Sequence, residues 1–280
     1  MTTKIRLGIS TCPNDTFAFS ALINRQVDWR GLEFVVELLD IQQLNLRLFN
    51  NDFDVAKASF HAALLLADST VVLPSGSALG FGVGPLLLAA RNNAPPSNAS
   101  QTTLCPGRHT TAALLFQLFY PHTTNIRHVV FSDIMPELKM QKADFGVCIH
   151  EGRFTWQNEG LGLVEDLGTR WEKETNSPLP LGGIVASKLL TDEVISKVQT
   201  VIHESLMFAV ADRNSALPTM RHYAQEFDDE VLMKHVDLYV NQWTEDLGTV
   251  GQQALQTLSD KARSIGLISN DKSALQVFGQ

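Results

Sequence analysis

The stretch Ala143-Asp144-Phe145-Gly146-Val147-Cys148-Ile149-His150-Glu151-Gly152-Arg153-Phe154 decides how this chain is read. An apolar run of strand type, residues 145–149, stops at His150, Glu151 and Arg153, and Gly152 lets the backbone turn sharply. In α/β proteins ligands bind beyond the carboxyl ends of parallel strands, where helix N-termini converge. A histidine there exchanges a proton near neutral pH, and Glu151 beside it is placed to orient it or raise its basicity. The competing reading is a histidine that merely caps its strand by bonding a neighbouring loop.

Toward the N-terminus the same strand-then-polar-loop order repeats. Residues 5–10 predict a strand, followed by the loop Ser10-Thr11-Cys12-Pro13-Asn14-Asp15-Thr16 and a helix over 17–22. Residues 32–39 predict a second strand, Asp40 an N-cap and 41–50 a helix; a third strand, 54–58, ends at Ser59-Phe60-His61 before a helix over 62–66. This β-α-β-α-β-α order implies a parallel sheet in which the loop after Ser10 and the segment Lys57-Ala58-Ser59 share one edge. A short strand, 70–73, precedes Ser75-Gly76-Ser77-Ala78-Leu79-Gly80-Phe81-Gly82-Val83-Gly84-Pro85. Its glycines are followed by a strand-like run over 85–90, the reverse of the context a dinucleotide fingerprint needs. They are read as letting backbone pass close to another segment or a ligand, with Ser75 and Ser77 able to face that ligand.

Asn92-Asn93-Ala94-Pro95-Pro96-Ser97-Asn98-Ala99-Ser100 has linker composition, so a domain boundary is expected there, with 1–92 plus 183–280 as one lobe and 93–182 as the other. The βα pattern then restarts. A strand over 103–105 leads through Pro106-Gly107-Arg108-His109-Thr110-Thr111 into a helix over 112–119, where hydroxyls and helix-start N–H groups suit a carboxylate or phosphate; a plain threonine N-cap is the rival reading. Strands follow at 126–131, 145–149 and 161–165, with a helix capped by Ser132 or Asp133 reaching Met140 and another over 167–174. Pro178 and Pro180 bring the chain back. Amphipathic helices at 193–210, 218–226, 229–243 and 251–265 are expected to pack outside the first lobe. Two βα lobes, two crossings and a helical tail describe an α/β, two-lobed periplasmic-binding-protein-like (type II) fold with a ligand cleft between the lobes. The ends at Thr11, Ser59, Ser75, Thr110 and His150 then converge.

Composition narrows the function classes. With 280 residues, 44% hydrophobic and 19% charged, the chain can bury a substantial core, while a net charge of −8 without a basic block argues against nucleic acid or an anionic membrane as partner. Cys12, Cys105 and Cys148 are odd in number and far apart, which fits a reducing cytoplasm and not a disulfide framework. The N-terminus enters a strand pattern directly, with no apolar stretch of export type, and no apolar run nears the roughly 20 residues that span a bilayer. No histidine pair has zinc-ligand spacing, so no metal is expected, and the histidines other than His150 are read as packing residues. Cys148 falls on the same side of its strand as His150, and core packing is its simplest role.

Ser10-Thr11-Cys12-Pro13-Asn14-Asp15-Thr16-Phe17, Lys57-Ala58-Ser59, Ser75-Gly76-Ser77-Ala78-Leu79-Gly80, Pro106-Gly107-Arg108-His109-Thr110-Thr111-Ala112, His150-Glu151-Gly152-Arg153-Phe154-Thr155 and Leu179-Pro180-Leu181-Gly182 together resemble the 1,4-dihydroxy-6-naphthoate synthases of the futalosine route to menaquinone. The resemblance runs in order over about the first two-thirds of the chain, and the combination is specific though no single piece is. It implies a carbon-carbon lyase that converts cyclic dehypoxanthine futalosine, a carboxylated small molecule, into 1,4-dihydroxy-6-naphthoate with loss of the sugar-derived part and no metal or organic cofactor. It places the catalytic base on His150 and substrate contacts on Lys57, Ala58, Ser59, Thr110 and Thr111; loop placement adds Thr11, Asn14, Ser75, Ser77 and Arg153. A homodimer is compatible with the sequence. The alternatives are a chorismate dehydratase of the same route and a cytoplasmic small-molecule binding protein of the same fold. A regulator would carry a helix-turn-helix, which is not seen, and the context of His150 favours the synthase.

Overall fold

The computed structural model describes residues 2–91, 94–150, 152–224 and 228–279. The chain begins with β1 (Thr3–Ser10), α1 (Pro13–Ala18), α2 (Ser20–Ile23), β2 (Leu32–Leu39), α3 (Ile41–Phe49), β3 (Val55–Ser59) and α4 (Phe60–Leu65). β1 lies between β2 and β3 and runs parallel to both, as the alternating order implies. The Asp40 carboxylate accepts from the amides of Gln42 and Gln43 and so starts α3. The first helix begins at Pro13, earlier than residue 17, because a proline in the first turn lacks only an N–H that would have had no partner.

β4 (Thr70–Val72), β5 (Ala78–Gly80) and β6 (Leu86–Ala89) carry the chain from one sheet into another. The second sheet is completed by β7 (Thr102–Cys105), α5 (Thr111–Phe119), β8 (Asn125–His128), α6 (Phe131–Lys139), β9 (Phe145–Cys148), α7 (Gly152–Thr155) and β10 (Gly162–Asp166), in the strand order β10-β6-β9-β7-β8. β7 is parallel to β8 and β9, whereas β6 is antiparallel to β9 and β10. β6 therefore pairs within the second sheet although it precedes the expected boundary at residues 92/93: its run of leucines is a buried strand, and the proline-rich segment after it is a connection inside that half. Val130 precedes α6 without a side-chain cap, so neither Ser132 nor Asp133 has the capping role expected of it; Asp133 sits in the first turn, where its charge favours the helix dipole.

α8 (Leu167–Thr175) and β11 (Leu179–Ser187) return the chain to the first sheet, whose order is β2-β1-β3-β11-β4 with β5 also on β11. The return crossing sets Gly84 against Gly168: a Cβ on Gly84 would stand 2.2 Å from the Gly168 Cα, so only glycine permits this backbone contact.

The tail comprises α9 (Asp192–Ala211), α10 (Leu217–Tyr223), α11 (Asp229–Tyr239), α12 (Gln242–Glu245) and α13 (Gly248–Ser264). α9 buries Ile195, Val198, Ile202 and Leu206 in one cluster with Ile5, Leu7 and Phe17, which fastens the tail to the first sheet. The helix expected over 229–243 breaks after Tyr239, and Asn241 starts α12 through a capping box with Thr244. Among the described residues no helix is long and apolar enough to cross a membrane.

Candidate functional site

Four strand ends meet across the gap between the sheets. Ser10 and Cys12 come from the end of β1, Ser59 from β3, Thr110 from the β7–α5 turn and His150 from just beyond the end of β9; all line one cleft. Ile41, Val83, Pro85, Ile149 and Leu181 add apolar walls that suit a flat ring.

His150 occupies the left-handed region at φ 55°, which costs a non-glycine residue about 1–2 kcal/mol. The turn re-aims the imidazole from the β9 axis into the cleft. Its ring meets Phe131 edge-on at 4.7 Å, and the Cys12 sulfur lies 3.2 Å from Nδ1 and 3.5 Å from Nε2. Enclosure by these groups, with the positive Lys57 in reach, lowers the imidazole from its ordinary 6.5 to about 4. His150 is therefore neutral at pH 7, with a lone pair to offer. The role expected for Glu151 falls outside the described residues.

Lys57 and Asp15 form a buried ion pair in the cleft wall, Nζ to Oδ1 2.6 Å, and Nζ also donates to the Gly76 carbonyl at 3.0 Å. An ammonium has three donors, and these two bonds are the ones it makes among the described residues, which leaves one for a bound anion. The alternation of β3 turns Lys57 and Ser59 to the cleft and Ala58 away from it, into the hydrophobic core. Ser59 is held by Asn45, whose Oδ1 accepts from the Ser59 amide and whose Nδ2 donates to Ser59 Oγ, both at 3.0 Å. The Ser59 hydroxyl proton is left to point at a ligand.

Thr110 is the N-cap of α5: its Oγ1 accepts from the Ala113 amide and donates to the Gly107 carbonyl. The Thr111 hydroxyl donates to Leu181 at 2.6 Å. Both hydroxyl protons are thus engaged within the fold, and the donors that this turn can offer a ligand are the first-turn amides of α5 at Thr111 and Ala112, residues that line the cleft.

Of the other residues singled out in the sequence, Asn14 lines the cleft, whereas Thr11, Ala58, Ser75, Ser77 and Arg153 do not. The Thr11 amide bonds Leu39 beside the sheet. Ser75 Oγ donates to the Glu245 carbonyl and accepts from Gln199, so it ties its loop to the tail helices. Ser77 is buried, close behind Gly183. Arg153 reaches the Gly84 carbonyl and Asp166 and fixes the cleft rim from behind. Cys148 packs with Leu86, Leu88 and Leu104, its thiol pushed up to about 12 by burial. Sequence reasoning did not pick out Asp15, Asn45, His235 or Tyr239. The last two stand i, i+4 on the buried face of α11 with ring centres 4.5 Å apart, a spacing visible in the sequence but not distinct from core packing.

The chain matches the family described as menaquinone biosynthesis over residues 5–264. It is 39% identical to a 1,4-dihydroxy-6-naphthoate synthase of Thermus thermophilus, covering 94% of this chain and 95% of the relative, and 35% identical to one of Streptomyces coelicolor, covering 94% of each. Among solved structures, a protein of Archaeoglobus fulgidus aligns with TM-score 0.89 at 31% identity over 95% of this chain and 98% of that one. The alkanesulfonate-binding protein SsuA of Xanthomonas axonopodis pv. citri aligns with TM-score 0.73 at 11% identity over 97% and 96%. The fold is the two-lobed periplasmic-binding-protein architecture, and its cleft is the one lined by His150.

Proposed function

The chain belongs to the menaquinone biosynthesis family, and on that premise we propose that it is a 1,4-dihydroxy-6-naphthoate synthase that takes cyclic dehypoxanthine futalosine into this cleft, in the cytoplasm. The observation that carries the reading is a neutral, enclosed histidine at a strand end, opposite an ion-paired lysine and a helix N-terminus. The substrate carboxylate docks at the first-turn amides of α5 and the Ser59 hydroxyl, and the positive Lys57 attracts it. The apolar walls take the ring system. His150 accepts the proton whose removal lets the sugar-derived portion leave, and aromatisation of the ring drives the step. Enclosure matters twice: it keeps the base unprotonated and excludes water that would compete for substrate contacts.

The test is incubation of purified protein with cyclic dehypoxanthine futalosine, without added metal or organic cofactor, following naphthoate by absorbance and mass. Product formation that is lost in His150→Asn is expected. A folded wild-type protein that yields no product overturns the reading, and chorismate is then the next substrate to try.

A further inference from the structure

His235 comes from the helical tail, yet its ring forms part of the cleft wall, 6.3 Å from His150 and inclined to it by only 26°. It is 2% exposed, and its Nδ1 has no hydrogen-bond partner among the described residues. Buried polar nitrogens are nearly always paired, so an orphan beside a ligand cleft asks for an explanation.

A chain of bonds settles which proton this ring carries. Asp15 Oδ1 accepts from Lys57 at 2.6 Å and from Asn14 Nδ2 at 3.0 Å, which turns the Asn14 carbonyl oxygen toward His235 Nε2 at 3.1 Å. A carbonyl oxygen only accepts, so Nε2 carries the hydrogen and Nδ1 keeps the lone pair. Burial and the neighbouring His150 hold the ring in its neutral form, well below the ordinary histidine value. The Lys57–Asp15 pair thus acts at a distance: through Asn14 it fixes Nδ1 as the acceptor atom of a ring that lines the cleft near the proposed base. Such an acceptor repels a carboxylate and matches a hydroxyl.

We propose that His235 is a substrate-contacting residue whose Nδ1 accepts a hydrogen bond from a hydroxyl group of the substrate next to the carbon at which His150 acts. The inference rests on the reading of the cleft given above. Two hydroxyl sources exist, the sugar-derived portion that leaves and the ring that becomes naphthoate, and two measurements separate them.

The experiment compares wild type, His235→Leu and His235→Asn for KM with cyclic dehypoxanthine futalosine, affinity for 1,4-dihydroxy-6-naphthoate by fluorescence titration, and thermal midpoint. Leucine removes the acceptor, whereas the asparagine amide oxygen can stand where Nδ1 stood. His235→Leu is expected to raise KM about tenfold, the worth of one hydrogen bond, and His235→Asn to recover most of that loss. Naphthoate affinity unchanged in His235→Leu assigns the donor to the departing portion, and an equal loss assigns it to the ring. Unchanged KM in a folded His235→Leu, or equal losses in both variants, overturns the inference and leaves His235 as packing. Wild type that neither turns over the substrate nor binds naphthoate overturns the reading of the cleft, and this inference with it.

Discussion

Replacing His150 by asparagine separates chemistry from folding, because the two effects on stability oppose each other. The left-handed backbone at φ 55° burdens histidine by about 1–2 kcal/mol, and asparagine is among the residues that tolerate this region best, so part of that strain is relieved. Against it, the edge-on contact with Phe131 at 4.7 Å is lost, worth about 0.5–1.5 kcal/mol. The net change is within about 1 kcal/mol, a shift of roughly 2–4 °C in thermal midpoint for a chain of this size. Turnover, in contrast, loses its proton acceptor and is expected to fall by about 10²–10⁴-fold. The assay is naphthoate formation at saturating substrate alongside a melting curve on the same preparation. Near-native kcat would remove His150 from the mechanism; a fall of many degrees with activity lost in proportion would make the residue structural.

Other perturbations follow from the same geometry. Asp15→Asn leaves the Lys57 ammonium buried without its counter-charge and is expected to cost about 3–5 kcal/mol in urea unfolding, whereas the double variant Asp15→Leu, Lys57→Met is far milder. Because His150 titrates near 4, kcat/KM should stay level from pH 7 to about 5 and fall as pH drops through about 4; a midpoint near 6.5 would show that enclosure does not govern the base. In the Asp15→Leu, Lys57→Met background that acid limb should move upward, since the lysine charge that helps depress it is gone. Stability follows the same sign: His150 and His61 bind protons near 6.5 when unfolded but only near 4 when folded, so unfolding free energy should decline as pH falls from about 6.5 toward 4. Thr110→Val removes the cap of α5 at a cost of about 1 kcal/mol and should raise KM as the first-turn amides loosen, read from melting curves and initial rates.

What was legible in the sequence is what local physics decides. β2 carries period-two patterning, Asp40 is a cap before an amphipathic run, and β9 stops just before His150; each is encoded within about ten residues. β11 escaped because Leu179-Pro180-Leu181-Gly182-Gly183 has turn composition. It is a strand only because β3, β4 and β5 pair with it, with the register shifting between Pro180 and Gly182. In the site, Lys57 and Ser59 were found on β3, but Asp15 and Asn45, which hold them, lie far off in sequence and announce nothing locally. Ser75 and Ser77 looked like ligand contacts because serines beside glycines suit a binding loop. Tertiary contacts redirect Ser75 to the tail, which no local pattern foretells.

The position of β11 also governs the order in which the molecule can be assembled. The second sheet is drawn entirely from residues 86–166, a continuous segment, whereas the first must wait for Leu179–Ser187 to enter between β3 and β4. During synthesis the middle of the chain can therefore close while β3 still presents unpaired backbone along one edge, a surface open to wrong partners. Loop-closure entropy makes that late insertion slow compared with the local pairing of β1 and β2. Substitutions at Gly182 or Gly183, whose Cβ atoms would press on Ala58 and Phe60, should then depress the yield of folded protein out of proportion to their effect on the melting point.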